Sequence, residues 1–268
     1  MTKLTMLGTG NALVTECFNT CFVLDCDGKY IMVDGGGGGE ILARLKHAGF
    51  DWMDMRDIIV THKHVDHILG ILYMVRMITQ NMNSGKYEGE ARIYGHDEVI
   101  RLIREISCSL LPEKNTRFFD DRLNLITVRD GETRDVAGQN VTFFDIHSTK
   151  AKQYGFRAVL SNGIRLVCCG DEPYDPSEKP YVKGCDWLLH EAFCLSRDAG
   201  RFHPYEKHHS TARDAAQEAE ELGVRNLVLY HTEDETIEHR KALYTEEAGK
   251  YFSGNLYVPD DMETIVIE

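Results

Sequence analysis

Long apolar runs are missing from this 268-residue chain. No stretch approaches the ~18 residues that would suggest a membrane span. Basic runs are missing too: Lys150 and Lys152 lie close together, but no segment is rich in Lys or Arg, and the formal charge is −13. Such a chain repels nucleic acid unless basic groups cluster locally, and bound divalent cations would offset part of its charge. A large polyanionic partner is therefore disfavoured. No C-x-x-C pair occurs among Cys17, Cys21, Cys26, Cys108, Cys168, Cys169, Cys185 and Cys194, and Cys168-Cys169 read as small core residues in an apolar run. The six prolines are scattered, with no Pro- or Ser-rich linker. Met1-Thr2-Lys3-Leu4 has no signal-peptide architecture and runs straight into a strand. These absences predict free thiols, a cytoplasmic location, no membrane contact and a single domain over residues 1–268.

What is present is concentrated in one stretch. Thr61-His62-Lys63-His64-Val65-Asp66-His67 packs four candidate metal ligands into six positions, with twelve His in the whole chain. A polar loop would match H-x-H-x-D-H by chance in about two chains per thousand of this composition. The motif follows Asp57-Ile58-Ile59-Val60, a β-branched run that reads as a buried strand, and precedes a helical pattern from Ile68. Imidazoles and a carboxylate on a turn at the end of a rigid strand suit zinc and its neighbours.

Strands are expected at Leu4–Leu7, Cys21–Leu24, Tyr30–Val33, Asp57–Val60, Ala91–Tyr94, Leu123–Val128, Val141–Ile146, Phe156–Leu160, Ile164–Cys168, Trp187–Leu189 and Leu227–Tyr230. Helices are expected at Glu40–Ala48, His67–Ile78, Asp97–Ser109, Thr211–Leu222 and Ile237–Tyr251, with Ser210 capping the fourth and Gly223 stopping it. The early order of elements largely repeats after Val141, which predicts an α/β domain of two packed sheets with helices outside. The glycine run Gly35–Gly39 lacks the G-x-x-x-x-G-K-[ST] pattern and reads as a tight turn that lets backbone pass close to something buried.

A two-metal site needs about seven protein ligands, and rigid strand ends are where the missing ones belong. His147, Asp171 and His231 are each the first charged or imidazole group after an apolar run.

At this point the chain resembles the metallo-β-lactamase superfamily, and within it the ribonuclease Z-like branch. The resemblance covers nearly the whole length. It rests on Leu7-Gly8-Thr9-Gly10, Val33-Asp34-Gly35-Gly36, the His62–His67 motif, His147-Ser148, Gly170-Asp171, His190-Glu191-Ala192, His209-Ser210-Thr211 and His231. It implies a four-layer αββα sandwich with two divalent metal ions along one edge, zinc foremost and manganese or iron as alternatives. His62, His64 and His147 would hold one metal and Asp66, His67 and His231 the other, with Asp171 bridging. His209 would be the catalytic histidine, oriented by Glu191, and Asp34 would lie under the ligand loop. Asp66 would accept the nucleophile's proton as a metal-activated hydroxide attacks. His208 adjoins His209, and only the following Ser-Thr favours the latter. His203 is near in sequence with its role open, while His47, His96 and His239 read as surface or structural residues.

Departures from the family pattern concern the substrate. Processing ribonucleases of this family insert a long arm between the positions of His147 and Asp171 that grips the tRNA elbow, and here the interval is too short for one. The Thr that commonly follows Gly-Asp is Glu172, and His231 is followed by the acidic Thr232-Glu233-Asp234. The expected activity is thus hydrolysis of a small, nucleotide-like or cyclic phosphodiester. The alternatives are tRNA 3′-end endonuclease action without the arm, or carboxyl-derivative hydrolysis of a lactone, thioester or lactam. His67 and the lack of a candidate Cys ligand speak against a zinc β-lactamase. Relatives suggest a homodimer.

Overall fold

A computed structural model describes residues 1–268. Its strands in chain order are β1 (Thr2–Gly8), β2 (Cys21–Cys26), β3 (Tyr30–Val33), β4 (Asp57–Ile59), β5 (Ala91–Gly95), β6 (Leu123–Thr127), β7 (Thr133–Val136), β8 (Gln139–Asp145), β9 (Tyr154–Val159), β10 (Arg165–Cys168), β11 (Trp187–Glu191), β12 (Asn226–Tyr230), β13 (Asn255–Tyr257) and β14 (Thr264–Ile267). They form two seven-stranded sheets, ordered β14-β1-β2-β3-β4-β5-β6 and β13-β12-β11-β10-β9-β8-β7. In the first, β14 through β3 pair antiparallel and β3 through β6 parallel. The second repeats the scheme, antiparallel from β7 to β10 and parallel from β10 to β13.

The helices are α1 (Glu40–His47), α2 (Val65–Asn83), α3 (Asp97–Leu110), the single turns α4 (Glu113–Thr116), α5 (Lys179–Val182) and α6 (Ala199–Phe202), then α7 (Ala212–Glu221) and α8 (Arg240–Ala248). Three apolar clusters define the layers. Leu4, Phe22, Leu24 and Val33 of the first sheet meet Val141, Phe143, Phe156 and Val228 of the second. The outer face of the first sheet packs on α1, α2 and α3 through Val23, Ile58, Ile71 and Ile103. The outer face of the second packs on α7 and α8 through Leu188, Leu227, Ala216 and Tyr244. This is the αββα sandwich the resemblance implies.

The sequence makes these choices locally. Along α2 the buried residues Ile68, Ile71, Met74, Val75, Ile78 and Met82 recur at helical spacing, each burial contributing roughly 1.5–3 kcal/mol before chain entropy is counted. The glycine run does bring backbones together. A Cβ on Gly70 would lie 1.8 Å from the Gly35 oxygen, and the two segments exchange Gly35 N–H to His67 O at 2.8 Å and Gly70 N–H to Gly36 O at 3.0 Å. That seam fixes the start of α2, hence Asp66 and His67, against the end of β3.

Three strands escape the sequence reading. The edge strand β7 is Thr-Arg-Asp-Val, exposed at its first three positions, so no apolar run marks it. β13 is only three residues long, and β14 alternates exposed and buried positions over only four. The N-cap of α7 is Thr211, not Ser210: Thr211 and Asp214 form a capping box, whereas the Ser210 amide donates to Glu191. α8 is also shorter than the expected Ile237–Tyr251.

Candidate metal centre

The site residues other than His147 gather where the two sheets present the carboxyl ends of their strands, the usual place for ligands in α/β folds. The His62–His67 segment follows β4, Asp171 follows β10, Glu191 ends β11, and His231 follows β12. Two of the residues that leave a strand here do so in the left-handed conformation, Asp34 at φ 56° and His231 at φ 59°. Such backbone costs a non-glycine residue about 1–3 kcal/mol, and surrounding contacts must hold it. They do so here: the Asp34 carboxylate accepts from the Thr61 amide and hydroxyl and from His67 Nδ1, while Thr20 Oγ1 lies 3.2 Å from His231 Nδ1.

The side chains form two groups that share one member. His62, His64 and Asp171 make the first; Asp66, His67, Asp171 and His231 make the second. Asp171 Oδ2 lies 3.6 Å from His62 Nε2, 3.6 Å from His67 Nε2 and 3.5 Å from His231 Nε2. Asp66 Oδ2 is 3.3 Å from His67 Nε2. His62 Nε2 and His64 Nδ1 face each other at 2.9 Å. Every one of these residues except His64 is buried.

Second-layer bonds decide which nitrogen looks inward, as is usual at metal sites. Asp34 takes the Nδ1 side of His67, Thr61 Oγ1 lies 2.9 Å from His62 Nδ1, and Thr20 stands behind His231. In each case Nε2 is left for the centre. Burial pushes His62 well below its ordinary pKa and His231 down to about 3, so both present neutral rings able to ligate. Burial opposes a proton on His67 as well, yet Asp66 and Asp34 outweigh it and hold that ring well above its usual value. Asp171 is driven far down against its own burial by His62, His67 and His231. Asp66 is lowered likewise, chiefly by His67.

The donor set fits cations. His67 Nε2 and Asp171 Oδ1 are buried with no hydrogen-bond partner, a state that normally needs compensation. Imidazole nitrogens and carboxylate oxygens around a shared Asp are what a pair of transition-metal ions takes.

His147 stands apart from both groups. It is exposed, left-handed at φ 57°, and its amide donates to Asp145 Oδ1. The histidine pair is resolved in space: His209 is buried with its ring 5.4 Å from that of His231, whereas His208 is exposed at a left-handed turn. His209 Nδ1 faces Glu191 Oε2 at 3.5 Å, and the other Glu191 oxygen takes the Ser210 amide. Exposed His203 pairs with Glu206.

Sequence reasoning passed over several residues here. Phe193 stacks on His209 with ring centroids 4.7 Å apart and planes at 8°. Lys150 Nζ reaches to 3.4 Å from His209 Nε2. Together with Leu13, Lys207, His64, Asp66, Asp171 and His231 they line a cleft of about 660 Å³. The acidic residues after His231 do not face the centre as free charges: Glu233 caps Thr236, and Asp234 takes the Thr15 and Glu16 amides.

Known proteins share this fold. Ribonuclease Z of Pyrobaculum aerophilum is 24% identical over 99% of this chain and 98% of its own length. Ribonuclease Z of Parabacteroides distasonis is also 24% identical, over 97% and 98%. Among solved structures, the metallo-beta-lactamase fold protein YhfI from Bacillus subtilis superposes with a TM-score of 0.79 at 20% identity, covering 98% of both chains. Human tRNase Z, short form, gives 0.73 at 20% identity over 99% of both. Fold and relatives together define a metal-dependent hydrolase of the metallo-β-lactamase superfamily, in its ribonuclease Z-like branch. The family model for Anti-Pycsar protein Apyc1 matches residues 2–247, and the chain belongs to that family.

Proposed function

We propose that this protein is a dinuclear metal-dependent phosphodiesterase acting on a small, nucleotide-like or cyclic phosphodiester. The observation that carries this reading is the Glu191–His209 pair standing beside a ligand cluster that shares Asp171. In this reading His62, His64 and His147 hold one metal, zinc by preference, and Asp66, His67 and His231 the other. His147 turns inward to do so. The metals, when bound, lower the pKa of water and offset charge on the attacking and leaving oxygens. Asp66 accepts the proton of the nucleophile. His209 donates a proton to the departing oxygen, and Glu191 keeps its ring in place and favours the cation. Phe193 holds the imidazole flat against one wall of the cleft.

A small substrate is supported by the short connection beside the cleft. β9 turns directly into β10, so the chain between His147 and Asp171 carries no arm with which to grip tRNA. The ribonuclease Z relatives keep tRNA processing as the second reading. The test is a panel on protein loaded separately with zinc, manganese and iron: bis(p-nitrophenyl) phosphate, 2′,3′- and 3′,5′-cyclic nucleotides, a tRNA precursor, a lactone and nitrocefin. Small phosphodiesters should give the highest kcat/KM. Efficient site-specific cleavage of the tRNA precursor at physiological salt would reverse the ranking, and faster nitrocefin turnover would move the protein to the carboxyl hydrolases.

Three further statements belong to this proposal. The chain acts as one domain over residues 1–268, a reading supported by the pairing of β14 with β1. It works in the cytoplasm, in keeping with eight cysteines that form no disulfide; no helix is long and apolar enough to cross a membrane. It forms a homodimer that covers the exposed Leu69, Tyr73 and Leu110 on α2 and α3, which sedimentation would report.

A further inference from the structure

The loop after β8 brings a cation to the cleft that the proposed chemistry above does not use. Ser148 Oγ donates to Glu172 Oε1 at 2.6 Å and accepts from the Lys150 and Ala151 amides at 3.2 and 3.3 Å. The loop is thereby folded back so that the Lys150 ammonium enters the cleft. There Nζ lies 3.6 Å from Glu172 Oε1 and 3.4 Å from His209 Nε2. The Lys150 side chain is a quarter exposed and that of Glu172 is 8% exposed, so the pair is only partly screened by water.

The ammonium is oriented but not saturated. Lysine has three N–H donors, and among protein groups only His209 Nε2 lies within hydrogen-bonding distance of Nζ. That contact lasts only while the imidazole is neutral. Once His209 carries a second proton, Nζ and Nε2 are two donors 3.4 Å apart, and each needs an acceptor of its own: the departing oxygen for the imidazolium, an anionic oxygen beside it for the ammonium. The same cleft holds Asp171 and His64 of the metal cluster.

We propose that Lys150 is a further catalytic residue of this site, with Glu172 its positioning residue: the ammonium grips a non-bridging oxygen of the substrate phosphate beside His209. The proposal rests on the phosphodiesterase reading. Lys150 donates a hydrogen bond and transfers no proton. Water supplies the oxygen that joins phosphorus, the ester oxygen leaves with the proton from His209, and the phosphomonoester formed carries more charge than the diester. A fixed cation at the non-bridging oxygen favours that gain, so its contribution is larger in the transition state than in the bound substrate. Glu172, standing where the family pattern commonly has Thr, is what holds the lysine there.

The experiment uses the full-length, metal-loaded protein and the best phosphodiester of the panel. Lys150→Met should lower kcat by about 10²-fold, the lower end for loss of one such donor, while metal content and Tm stay at wild-type values. Its inhibition by inorganic phosphate should weaken as well. Lys150→Arg should recover part of kcat, because it restores a cation. Glu172→Gln should lower kcat less. The double variant Lys150→Met/Glu172→Gln separates gripping from mere charge balance: it should stay as slow as Lys150→Met. If it regains wild-type kcat, Lys150 only neutralises Glu172 and the proposal is wrong. A Lys150→Met protein as fast as an active wild type overturns it equally. A wild type that turns over the lactone but no phosphodiester overturns the phosphodiesterase reading itself, and this proposal with it.

Discussion

Asp34 Oδ2 lies 2.8 Å from His67 Nδ1, and the same carboxylate takes the Thr61 amide at 2.8 Å and its hydroxyl at 2.7 Å. One buried anion thus sets the ring of a ligand and the start of the loop that carries the others. Asp34→Ala would leave three buried donors without a partner, each costing about 1–3 kcal/mol. Metal affinity should fall by about 10- to 100-fold as His67 loses its orientation. A chelator-competition titration alongside a thermal melt checks both; unchanged affinity would mean that Asp34 supports the fold alone.

The contact between Gly35 and Gly70 makes a second prediction. A Cβ at Gly70 would meet the Gly35 oxygen at 1.8 Å, and backbone cannot rotate out of the way as a side chain can. Gly70→Ala should therefore destabilise the protein by about 1–3 kcal/mol or more through overpacking, and it should weaken metal binding with it, because Asp66 and His67 ride on the displaced turn. Gly200→Ala makes a useful comparison, since a Cβ there meets nothing within 4 Å and the backbone is not left-handed. Urea unfolding of the two variants should separate them clearly.

How much of this was legible beforehand differs by residue. His62 to His67 could be read because dense imidazole and carboxylate spacing after a β-branched strand has few other causes. Asp171 and His231 could be read as strand-end polar groups, since β10 after Arg165 and β12 after Asn226 are apolar runs. The left-handed backbone at Asp34 and His231 could not, because tertiary contacts rather than local preference hold non-glycine residues there. Lys150 looked like an ordinary surface lysine: only the fold of its loop, set by Ser148 and Glu172, turns it toward His209. Ser210 reads as the cap on paper, yet Thr211 takes that place. Glu191 decides between them by taking the Ser210 amide.

Behind Glu191 lies a titrating group with a readable sign. His190 is buried, its Nδ1 bonded to the Glu191 carbonyl at 2.7 Å and its Nε2 3.3 Å from Glu218 Oε2. Burial works against a proton there, but Glu218 outweighs it and lifts the pKa to about 9. The folded value lies above the unfolded one of about 6.5. The stabilisation is therefore complete below pH 6.5 and fades as pH rises through about 9. Tm at constant metal loading should decline across that window. Glu218→Gln should flatten the decline, and an equally steep curve in that variant would show that another group titrates.

His147 is the ligand to test hardest, because it stands exposed and outside both groups. Loaded wild-type protein should contain about two transition metals per chain. His147→Ala should lose part of one of them and melt lower than wild type, since metal binding is linked to folding. Elemental analysis and a melt with and without chelator measure this. Full metal content in His147→Ala would leave His62, His64 and Asp171 to hold the first metal by themselves.

His209 should behave oppositely to a ligand. Its ring is held by Phe193 and Glu191 next to His231, with Nε2 turned to the cleft. If it protonates the departing oxygen, His209→Ala should keep both metals and its Tm while kcat falls by about 10²- to 10⁴-fold. The loss should depend on the leaving group. A p-nitrophenolate departs without help, so that ester should suffer little; an alkyl or ribose oxygen needs the proton, so that one should suffer most. Glu191→Gln should shift kcat in the same direction by less, because it weakens the cation without removing it. Exposed His208 is the internal control, and His208→Ala should match wild type with both esters. Loss of a metal in His209→Ala would make the residue a ligand, and an equal loss with both esters would show that it stabilises charge on the phosphoryl group rather than delivering a proton.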